Sequence, residues 1–317
     1  MDKQAREKRL NVRWICEISS NHNGSLERAM ALLEAAAEAG FTDVKTQAFH
    51  VEQLFAPEAL EARPELLERK QYEVPAHWHR TLRQEANARG MRYGVTPCSL
   101  SVLEEIVPYV DWLKIGSYSL LDVKLLKAAA STGLPLVVSN GMATEKEVND
   151  ALFTLSNVYL RDWKKIGDPL PPRPLSFLHC VSSYPAPPHE ANLRSIPFLK
   201  KRFGFTWGWS DHTVSNLVVG RAQFVHGAEL IELHWDLEDG LGAEAAHSWT
   251  PAERLPIYHA ASDQGFYACD GKAEVKAPSV SESSERDWRA DPEDGLRPLK
   301  ALRATLKPCL ASRKSSE

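Results

Sequence analysis

The fold is decided by a strand, a helix and a second strand: RWICEIS at residues 13–19, LERAMALLEAAAEAG at residues 26–40 and DVKTQAF at residues 43–49. The two outer stretches are short and rich in residues that favour strands. In the middle stretch, apolar residues recur at helical spacing, and the final Gly40 is typical of a helix C-cap. This order predicts a parallel sheet covered by helices.

The same alternation continues to about residue 265. Six further strands are predicted at Arg92–Pro97, Trp112–Gly116, Pro135–Asn140, Leu175–Ser182, Thr206–Ser210 and Glu229–Trp235. Ser99, Asp122 and Thr144 each precede a helical stretch and can act as N-caps. Eight strand-helix repeats, with no GxGxxG after the first strand, favour a closed barrel over a doubly wound Rossmann sheet. We therefore predict an α/β fold, a (β/α)₈ TIM barrel over residues 1–270, with the Rossmann sheet as the alternative.

Two segments break the alternation. The segment Glu52–Val74 is too long for an ordinary strand-to-helix loop, so we expect a flap over the barrel mouth. Residues 271–317 are rich in Ser, Glu, Lys and Pro. We expect a C-terminal extension there, with a short helix near Leu296–Leu306, and no second domain.

The composition argues against several classes of protein. The chain has 317 residues and a formal net charge of −4, so no basic excess indicates a nucleic-acid partner. No apolar run approaches the roughly 20 residues that a membrane-spanning helix needs. The charged start MDKQAREKRL does not resemble a signal peptide. We expect a cytoplasmic protein without a membrane or nucleic-acid partner.

The cysteines are odd in number, widely spread and never arranged as CxxC; they are Cys16, Cys98, Cys180, Cys269 and Cys309. This pattern argues against a disulfide framework or a structural zinc site. We expect reduced thiols, and those within predicted strands are interpreted as small buried hydrophobic residues.

Polar residues collect where the predicted strands end, which in a barrel of this kind is the place of the active site. In chain order they are Glu17, Asn21, Lys45, Gln47, Thr96, Lys114, Ser117, Ser139, Ser182, Tyr184, Ser210, Asp211, His212, Glu232 and His234. Each alone has an ordinary structural explanation, since a lysine at a strand end is usually solvated. Their joint placement favours a functional site, because enclosing charged groups without partners costs several kcal/mol.

Two kinds of chemistry are indicated. His212 and His234 follow neighbouring strands and can share one divalent ion, although a hydrogen-bonded pair is the alternative. Nearby carboxylates favour an open site for manganese, magnesium or cobalt over a closed zinc site. Lys45 and Lys114, with hydroxyls around them, suit a small polyanion that carries a phosphate and a carboxylate.

The motifs resemble the N-acetylneuraminate (sialic acid) synthase family over about residues 12–255. In order, they are CEISSNHNGS, DVKTQAF, VTPCS, LKIGS, VVSNGMAT, LHCVSSYPAPP, NLRSIPFLKKRFG, GWSDHT and IELHW. The resemblance implies a metal-dependent enzyme that joins phosphoenolpyruvate to an aldose or amino-sugar aldehyde. The products would be a 3-deoxy-2-keto sugar acid and phosphate.

The resemblance also implies roles for individual residues. A divalent metal, typically manganese, would lie on His212 and His234. The phosphoenolpyruvate pocket would contain the two lysines and the hydroxyls of Thr96, Ser117, Ser139 and Ser210. Further substrate contacts are expected from Asn21, Gln47, Ser182, Asp211 and Glu244.

The implied reaction begins with attack by C3 of phosphoenolpyruvate on the aldehyde carbon, which the metal polarises. Water then adds at C2, and phosphate leaves. Glu17 matches a glutamate at the reacting centre and would orient or deprotonate this water. Tyr184 matches a tyrosine beside the substrates.

The chain departs from the family pattern on the acceptor side. Ser119 stands where a glutamate is usual, Gly242, Ala243 and Glu244 stand where GPD is usual, and Ser182 stands for an asparagine. The sequence also lacks the family's C-terminal antifreeze-like domain. We therefore expect the reaction to be kept with an acceptor other than N-acetylmannosamine, in a homo-oligomer of unknown interface. The alternatives are another metal-dependent aldolase and a catalytically silent barrel that binds a sugar or a partner.

Overall fold

The computed structural model describes residues 12–161, 175–254, 267–271 and 275–307. Eight parallel strands close into a barrel in sequence order. They are β1 (Arg13–Glu17), β2 (Asp43–Ala48), β3 (Arg92–Pro97), β4 (Trp112–Ile115), β5 (Leu136–Ser139), β6 (Leu175–His179), β7 (Thr206–Asp211) and β8 (Leu230–His234). The predicted (β/α)₈ barrel is confirmed.

The register of the strands brings distant polar residues to one level of the barrel. Glu17 at the end of β1 is opposite Lys45 of β2 on one side and His234 of β8 on the other. Ser210 of β7 is opposite Glu232 of β8. Because all strands run parallel, their carboxyl ends meet at one mouth, and the side chains of these residues meet there.

The helices alternate with the strands. Their bounds are α1 (Leu26–Glu38), α2 (Val51–Leu54), α3 (Pro57–Ala62), α4 (Ala76–Ala88), α5 (Leu100–Ile106), α6 (Val123–Ser131), α7 (Glu145–Arg161), α8 (Ser195–Phe203), α9 (Asn216–Phe224), α10 (Pro251–Arg254) and α11 (Lys300–Arg303). The predicted N-caps are confirmed, since Ser99, Asp122 and Thr144 each accept an N–H from the residue three positions on. Gly40 follows α1 with φ +76°, as a C-cap glycine does. Among the described residues, no helix is long and apolar enough to cross a membrane.

The predicted strand ends differ from the observed ones by a few residues. Strand six was expected to reach Ser182 but ends at His179. The backbone N–H of Ser182 donates instead to the carboxylate of Glu282, 2.7 Å away, in the C-terminal segment. Residues 180–182 therefore leave the barrel to meet a segment that the strand pattern does not reveal.

The described cysteines are buried and free, which agrees with the prediction of reduced thiols; they are Cys16, Cys98, Cys180 and Cys269. Cys309 and residues 255–266, where the predicted alternation ends, lie outside the described residues.

Two segments lie together beside the strand ends. Residues 51–74 contain α2, α3 and a 3-10 helix at Pro64–Tyr72. Residues 275–307 contain a 3-10 helix at Arg286–Trp288, and the expected C-terminal helix is confined to α11. Arg297 joins the segments, because its carbonyl accepts from Ala56 N at 2.8 Å and its N–H donates to Leu54 O at 3.0 Å. The C-terminal segment is thus hydrogen-bonded to the predicted flap.

Candidate active site

A cavity of about 460 Å³ opens at the carboxyl ends of the strands. We call its first side the strand-end wall, formed by residues of the strands and of the loops directly after them. This wall includes the predicted site residues Glu17, Lys45, Gln47, Thr96, Lys114, Ser117, Ser139, Tyr184, Ser210, His212, His234 and Glu244. We call the second side the covering wall, formed by Leu54, Phe55, Arg63, Leu66, Arg69, Glu285, Trp288 and Arg297.

The two lysines of the strand-end wall are each paired with a carboxylate. Lys45 Nζ contacts the carboxylate of Glu17 and lies 3.1 Å from Thr96 Oγ1. Lys114 Nζ lies 3.3 Å from Glu232 Oε1. Each lysine that was expected to bind a polyanion therefore already faces a carboxylate of the same wall.

Burial changes the acid-base properties of these groups. Burial and the neighbouring Lys114 lower the pKa of Lys45 to about 7. Burial alone would raise the pKa of Glu232, but Lys114 and Lys45 lower it below its usual range. A lysine with a pKa of about 7 changes its charge near neutral pH, as groups at functional sites often do.

The hydroxyls of this wall differ in what they already bind. Ser117 Oγ accepts from Gly141 N at 2.9 Å, and Ser210 Oγ donates to Glu232 Oε1 at 3.0 Å. Ser139 Oγ and Glu232 Oε2 are buried and have no hydrogen-bond partner within the described part of the chain. Buried polar atoms normally have a partner, so these two atoms are available to a bound molecule.

The predicted histidine pair lies together at the cavity. The rings of His212 and His234 are 5.3 Å apart between centroids. His212 Nδ1 is 2.5 Å from Val181 O, and His234 Nδ1 is 2.8 Å from Glu244 Oε2. Because both acceptors are oxygen atoms, the proton of each ring lies on Nδ1. The lone pair of each Nε2 atom is then free to bind a metal. Burial and the neighbouring His234 lower the pKa of His212 to about 3, so this ring is neutral, as a metal ligand must be.

A third histidine extends this group. His234, Glu244 and His247 each offer a ligand atom, and these atoms all lie within 4.8 Å of one another. His247 was not predicted, and Glu244 was expected to bind substrate only. His247 is brought back to the barrel because the chain returns beside β8, where Trp249 N donates to His234 O at 2.8 Å. This set of nitrogen and oxygen donors fits a divalent metal such as manganese, magnesium or cobalt.

Tyr184 packs against these histidines, as its predicted place beside the substrates requires. Its ring centroid is 4.3 Å from that of His212 and 5.0 Å from that of His247. The tyrosine therefore borders the candidate metal site on the cavity side.

Asn21 does not line the cavity, although it was expected to bind substrate. Its side-chain nitrogen donates to Trp235 O and Ser248 Oγ, and its oxygen accepts from Glu244 N at 2.7 Å. These bonds occupy the amide and fix the loop that carries Glu244. Asn21 thus affects the cavity indirectly, by fixing the position of Glu244.

Asp211 and Ser182, which were expected to contact substrate, are not among the residues that line the cavity. The carboxylate of Asp211 is fully buried and accepts from the indole N–H groups of Trp209 and Trp249, each at 2.9 Å. The backbone N–H of Ser182 donates to Glu282. Asp211 therefore holds the end of β7, and Ser182 binds the C-terminal segment.

The C-terminal part of the covering wall was missed by sequence reasoning, whereas its other residues lie in the segment that was expected to form a flap over the barrel mouth. Tyr118, directly after β4, donates its hydroxyl to Glu285 Oε2 at 2.6 Å. The guanidinium of Arg297 lies 4.6 Å from the centre of the Tyr118 ring. Trp288 packs edge-on against Phe55, with ring centroids 6.4 Å apart. No motif marks these C-terminal residues, since they lie far along the chain from the strands that they meet.

Comparison with known proteins places this site in a family. A profile of the NeuB family matches residues 32–262. N,N'-diacetyllegionaminic acid synthase of Legionella pneumophila is 31% identical over 286 residues, which cover 84% of this chain and 75% of that protein. Pseudaminic acid synthase of Helicobacter pylori is 30% identical over 238 residues, which cover 72% of this chain and 66% of that protein. The chain thus spans about two thirds to three quarters of the length of these relatives.

A solved structure gives the same result. N-acetylneuraminic acid (sialic acid) synthetase of Leptospira borgpetersenii, in complex with citrate, superposes with a TM-score of 0.69 at 27% sequence identity. The match covers 86% of this chain and 90% of that one. By its profile match, its relatives and its barrel, this chain belongs to the NeuB family.

Proposed function

We propose that this protein joins phosphoenolpyruvate to a sugar aldehyde and releases a 3-deoxy-2-keto sugar acid and phosphate. The observation that carries the proposal is one cavity that holds both Lys45 and Lys114 and the free Nε2 atoms of His212 and His234. The lysines suit an enol phosphate, and the imidazoles suit a metal that binds an aldehyde oxygen. The sialic acid-type synthases among the relatives support this reaction class.

Phosphoenolpyruvate would lie on the strand-end wall. Lys45 and Lys114 supply the positive charge, and the unpartnered hydroxyl of Ser139 supplies a donor. The anion would share the lysines with Glu17 and Glu232, because both carboxylates already face them. Before the substrate binds, the two carboxylates compensate the charge of the buried ammonium groups. A phosphate carries more negative charge than a carboxylate and can then replace it as the partner of the lysines.

Glu17 is placed to act on a proton. Its Oε1 accepts from Ser19 N at 2.8 Å, and its Oε2 faces Lys45. A carboxylate fixed in this way can orient the water that adds at C2 and accept its proton.

His212 and His234 would hold the metal through Nε2, with His247 beside them and Glu244 fixing the His234 ring from its Nδ1 side. A bound divalent ion supplies Lewis acidity for the aldehyde oxygen. The hydrogen bond from His234 Nδ1 to Glu244 fixes the ring so that Nε2 faces away from this carboxylate. Tyr184 packs against His212 and His247 and would lie beside the bound ion.

The acceptor would differ from N-acetylmannosamine. Ser119 is buried beside the covering wall and has no carboxylate to offer a sugar hydroxyl. Glu244 is held by His234 and by Ser19 Oγ, which donates to Glu244 Oε1 at 2.7 Å. The positions at which the chain departs from the family pattern thus change the polar groups around the acceptor.

The experiment is a turnover assay with manganese, phosphoenolpyruvate and a panel of aldoses and amino sugars. We expect consumption of phosphoenolpyruvate that needs both the metal and one of the aldehydes. Tight binding of a sugar without any consumption across the panel would contradict the proposal and favour a silent sugar-binding barrel.

A further inference from the structure

Two arginines of the covering wall have no acidic partner. Arg69 comes from the 3-10 helix Pro64–Tyr72, and Arg297 comes from the C-terminal segment. Within the described ranges, neither guanidinium forms an ion pair with a carboxylate. The Nε atom of Arg69 is buried and has no hydrogen-bond partner there. The side chain of Arg297 makes one hydrogen bond within the described residues, a long one of 3.5 Å to Ser119 Oγ.

The other charged groups of the cavity are engaged. Lys45 and Lys114 face the two carboxylates of the strand-end wall. Arg63 lies 2.9 Å from Glu65. Glu285 accepts the hydroxyl of Tyr118 and pairs with neither arginine of interest in the described structure. Arg69 and Arg297 are therefore the cationic side chains of the cavity that lack an ion-pair partner among the described residues, and the carboxylates of Glu244 and Glu285 also line it.

The two arginines lie close enough to repel each other. Burial lowers the pKa of Arg297, and the charge of Arg69 lowers it further. Each guanidinium rests on an aromatic ring, Arg297 on Tyr118 at 4.6 Å and Arg69 on Phe49 at 5.8 Å. Stacking fixes the planes of the guanidinium groups and leaves their edges free for an anion. Like charges held together in a cavity are stabilised when an anion binds between them.

We propose that Arg69 and Arg297 bind the phosphate of a phosphorylated sugar aldehyde, which is the acceptor substrate. The proposal rests on the reaction assigned above. A phosphate monoester carries about −1.5 to −2 charges at neutral pH, which matches two guanidinium groups. Arginine also binds phosphate through two parallel hydrogen bonds, which gives both strength and orientation.

The arginines are assigned to the acceptor because they come from the covering wall, whereas the lysines come from strands β2 and β4. Phosphoenolpyruvate has two lysines and a free hydroxyl on the strand-end wall. A cavity of about 460 Å³ has room for a second small molecule between that wall and the arginines. The aldehyde end of the acceptor would face His212 and His234, and its phosphate end would face the covering wall.

The first test compares each sugar monophosphate with its unphosphorylated counterpart. Consumption of phosphoenolpyruvate is followed by the loss of its enol absorbance, so phosphate on the acceptor does not interfere. We expect a phosphorylated aldose or amino sugar to have a kcat/KM at least about 10-fold above that of its counterpart. Equal values for both members of the best pair would overturn the proposal.

The variants assign the effect to the arginines. Arg69→Gln and Arg297→Gln should each raise the KM for the phosphorylated acceptor by about 10- to 100-fold and leave the KM for phosphoenolpyruvate within a few-fold. Arg297→Lys should fall between wild type and Arg297→Gln. Arg80→Gln is the matched control, because Arg80 also stacks on a tyrosine, Tyr109 at 5.4 Å, outside the cavity. A raised KM for phosphoenolpyruvate alone would mean that the arginines hold that substrate, which would overturn the proposal.

A binding measurement separates this site from the proposed reaction. The protein is titrated with the sugar monophosphates in a calorimeter, without phosphoenolpyruvate. The affinity should weaken about 10-fold or more in Arg69→Gln and Arg297→Gln but not in Arg80→Gln. If such binding is seen without consumption of phosphoenolpyruvate, the reaction fails and the phosphate site stands. If turnover is seen without arginine-dependent binding, the phosphate site fails and the reaction stands.

Discussion

The strand-end wall and the covering wall of the cavity are built in different ways. Every charged group of the first wall is held by neighbours within a closed barrel, as in the pairs Lys45 with Glu17 and Lys114 with Glu232. The second wall comes from two separate segments that meet at Arg297, and it carries guanidinium groups without acidic partners among the described residues. The first wall is fixed by strand register, and the second depends on contacts between loops.

This difference indicates a division of labour. Groups on strands are held within small tolerances, as chemistry at a reacting carbon requires. Segments outside the barrel can change in sequence without disturbing the strands, so they suit the recognition of different acceptors. We therefore expect substitutions in the strand-end wall to affect catalysis and substitutions in the covering wall to affect acceptor selection.

The largest effect is expected at the histidines. His234→Ala removes a ligand atom and the partner of Glu244, so kcat should fall by about 1,000-fold and manganese binding should weaken together with it. Electron paramagnetic resonance of free manganese measures the binding without turnover. His189→Ala is the control, because the His189 side chain is 68% exposed. Unchanged manganese affinity in His234→Ala would remove this histidine from the site.

A smaller effect is expected for the proposed base. Glu17→Gln keeps the size of the side chain but removes the proton acceptor, so kcat should fall by about 100-fold. The KM for phosphoenolpyruvate should change little, because the lysines are retained. Steady-state kinetics measure both values, and Glu34→Gln on the exposed face of α1 is the control. A kcat equal to that of wild type would exclude Glu17 as the base.

The attachment of the covering wall can be tested through Glu282. Its buried carboxylate accepts N–H groups of Met142, Ser182 and Ser279 at 2.6 to 2.8 Å. Glu282→Ala leaves these donors unsatisfied, so the free energy of unfolding should fall by about 2 kcal/mol.

Urea unfolding measures this loss, and hydrogen exchange should report faster opening of residues 275–307 than of the strands. Glu293→Ala, at a side chain 74% exposed, is the control. Equal stability of the Glu282 and Glu293 variants would show that the carboxylate does not fasten the segment.

The smallest effect concerns pH. Burial lowers the pKa of Lys45 to about 7, so this side chain loses its positive charge as the pH rises above that value. The kcat/KM for phosphoenolpyruvate should then decrease by about 10-fold in total between pH 6 and 9, because Lys114 still supplies a contact to the anion. Lys45→Met should have a low kcat/KM without this dependence. A profile that is flat from pH 6 to 9 in the wild type would contradict the role of Lys45.

The barrel and most of the strand-end wall could be predicted because both follow local patterns. Each strand is a short apolar run with polar residues at its end. The closed barrel brings these ends together, and this does not depend on the conformation of the loops. Strand register then places Glu17 between Lys45 and His234. Sequence spacing could not show that the carboxylate of Asp211 is turned to the indole groups of Trp209 and Trp249, because this depends on side chains from other parts of the chain.

The remaining parts depend on contacts between distant segments. His247 is brought to the candidate metal site by a hydrogen bond between Trp249 and His234, which no spacing rule predicts. Arg297 reaches the cavity because its backbone pairs with Leu54 and Ala56. A segment rich in Ser, Glu and Lys resembles a connector by composition, so its place in the cavity wall is visible only in the folded structure.

The most direct test follows the carbon–carbon bond that the proposed reaction forms. Phosphoenolpyruvate labelled with carbon-13 at C3 is incubated with the protein, manganese and the panel of sugar aldehydes, and the products are recorded by nuclear magnetic resonance. We expect the labelled carbon to become a methylene bonded to the former aldehyde carbon, with phosphate released. Label that stays in phosphoenolpyruvate, or that appears only in the methyl group of pyruvate, would contradict the proposed reaction.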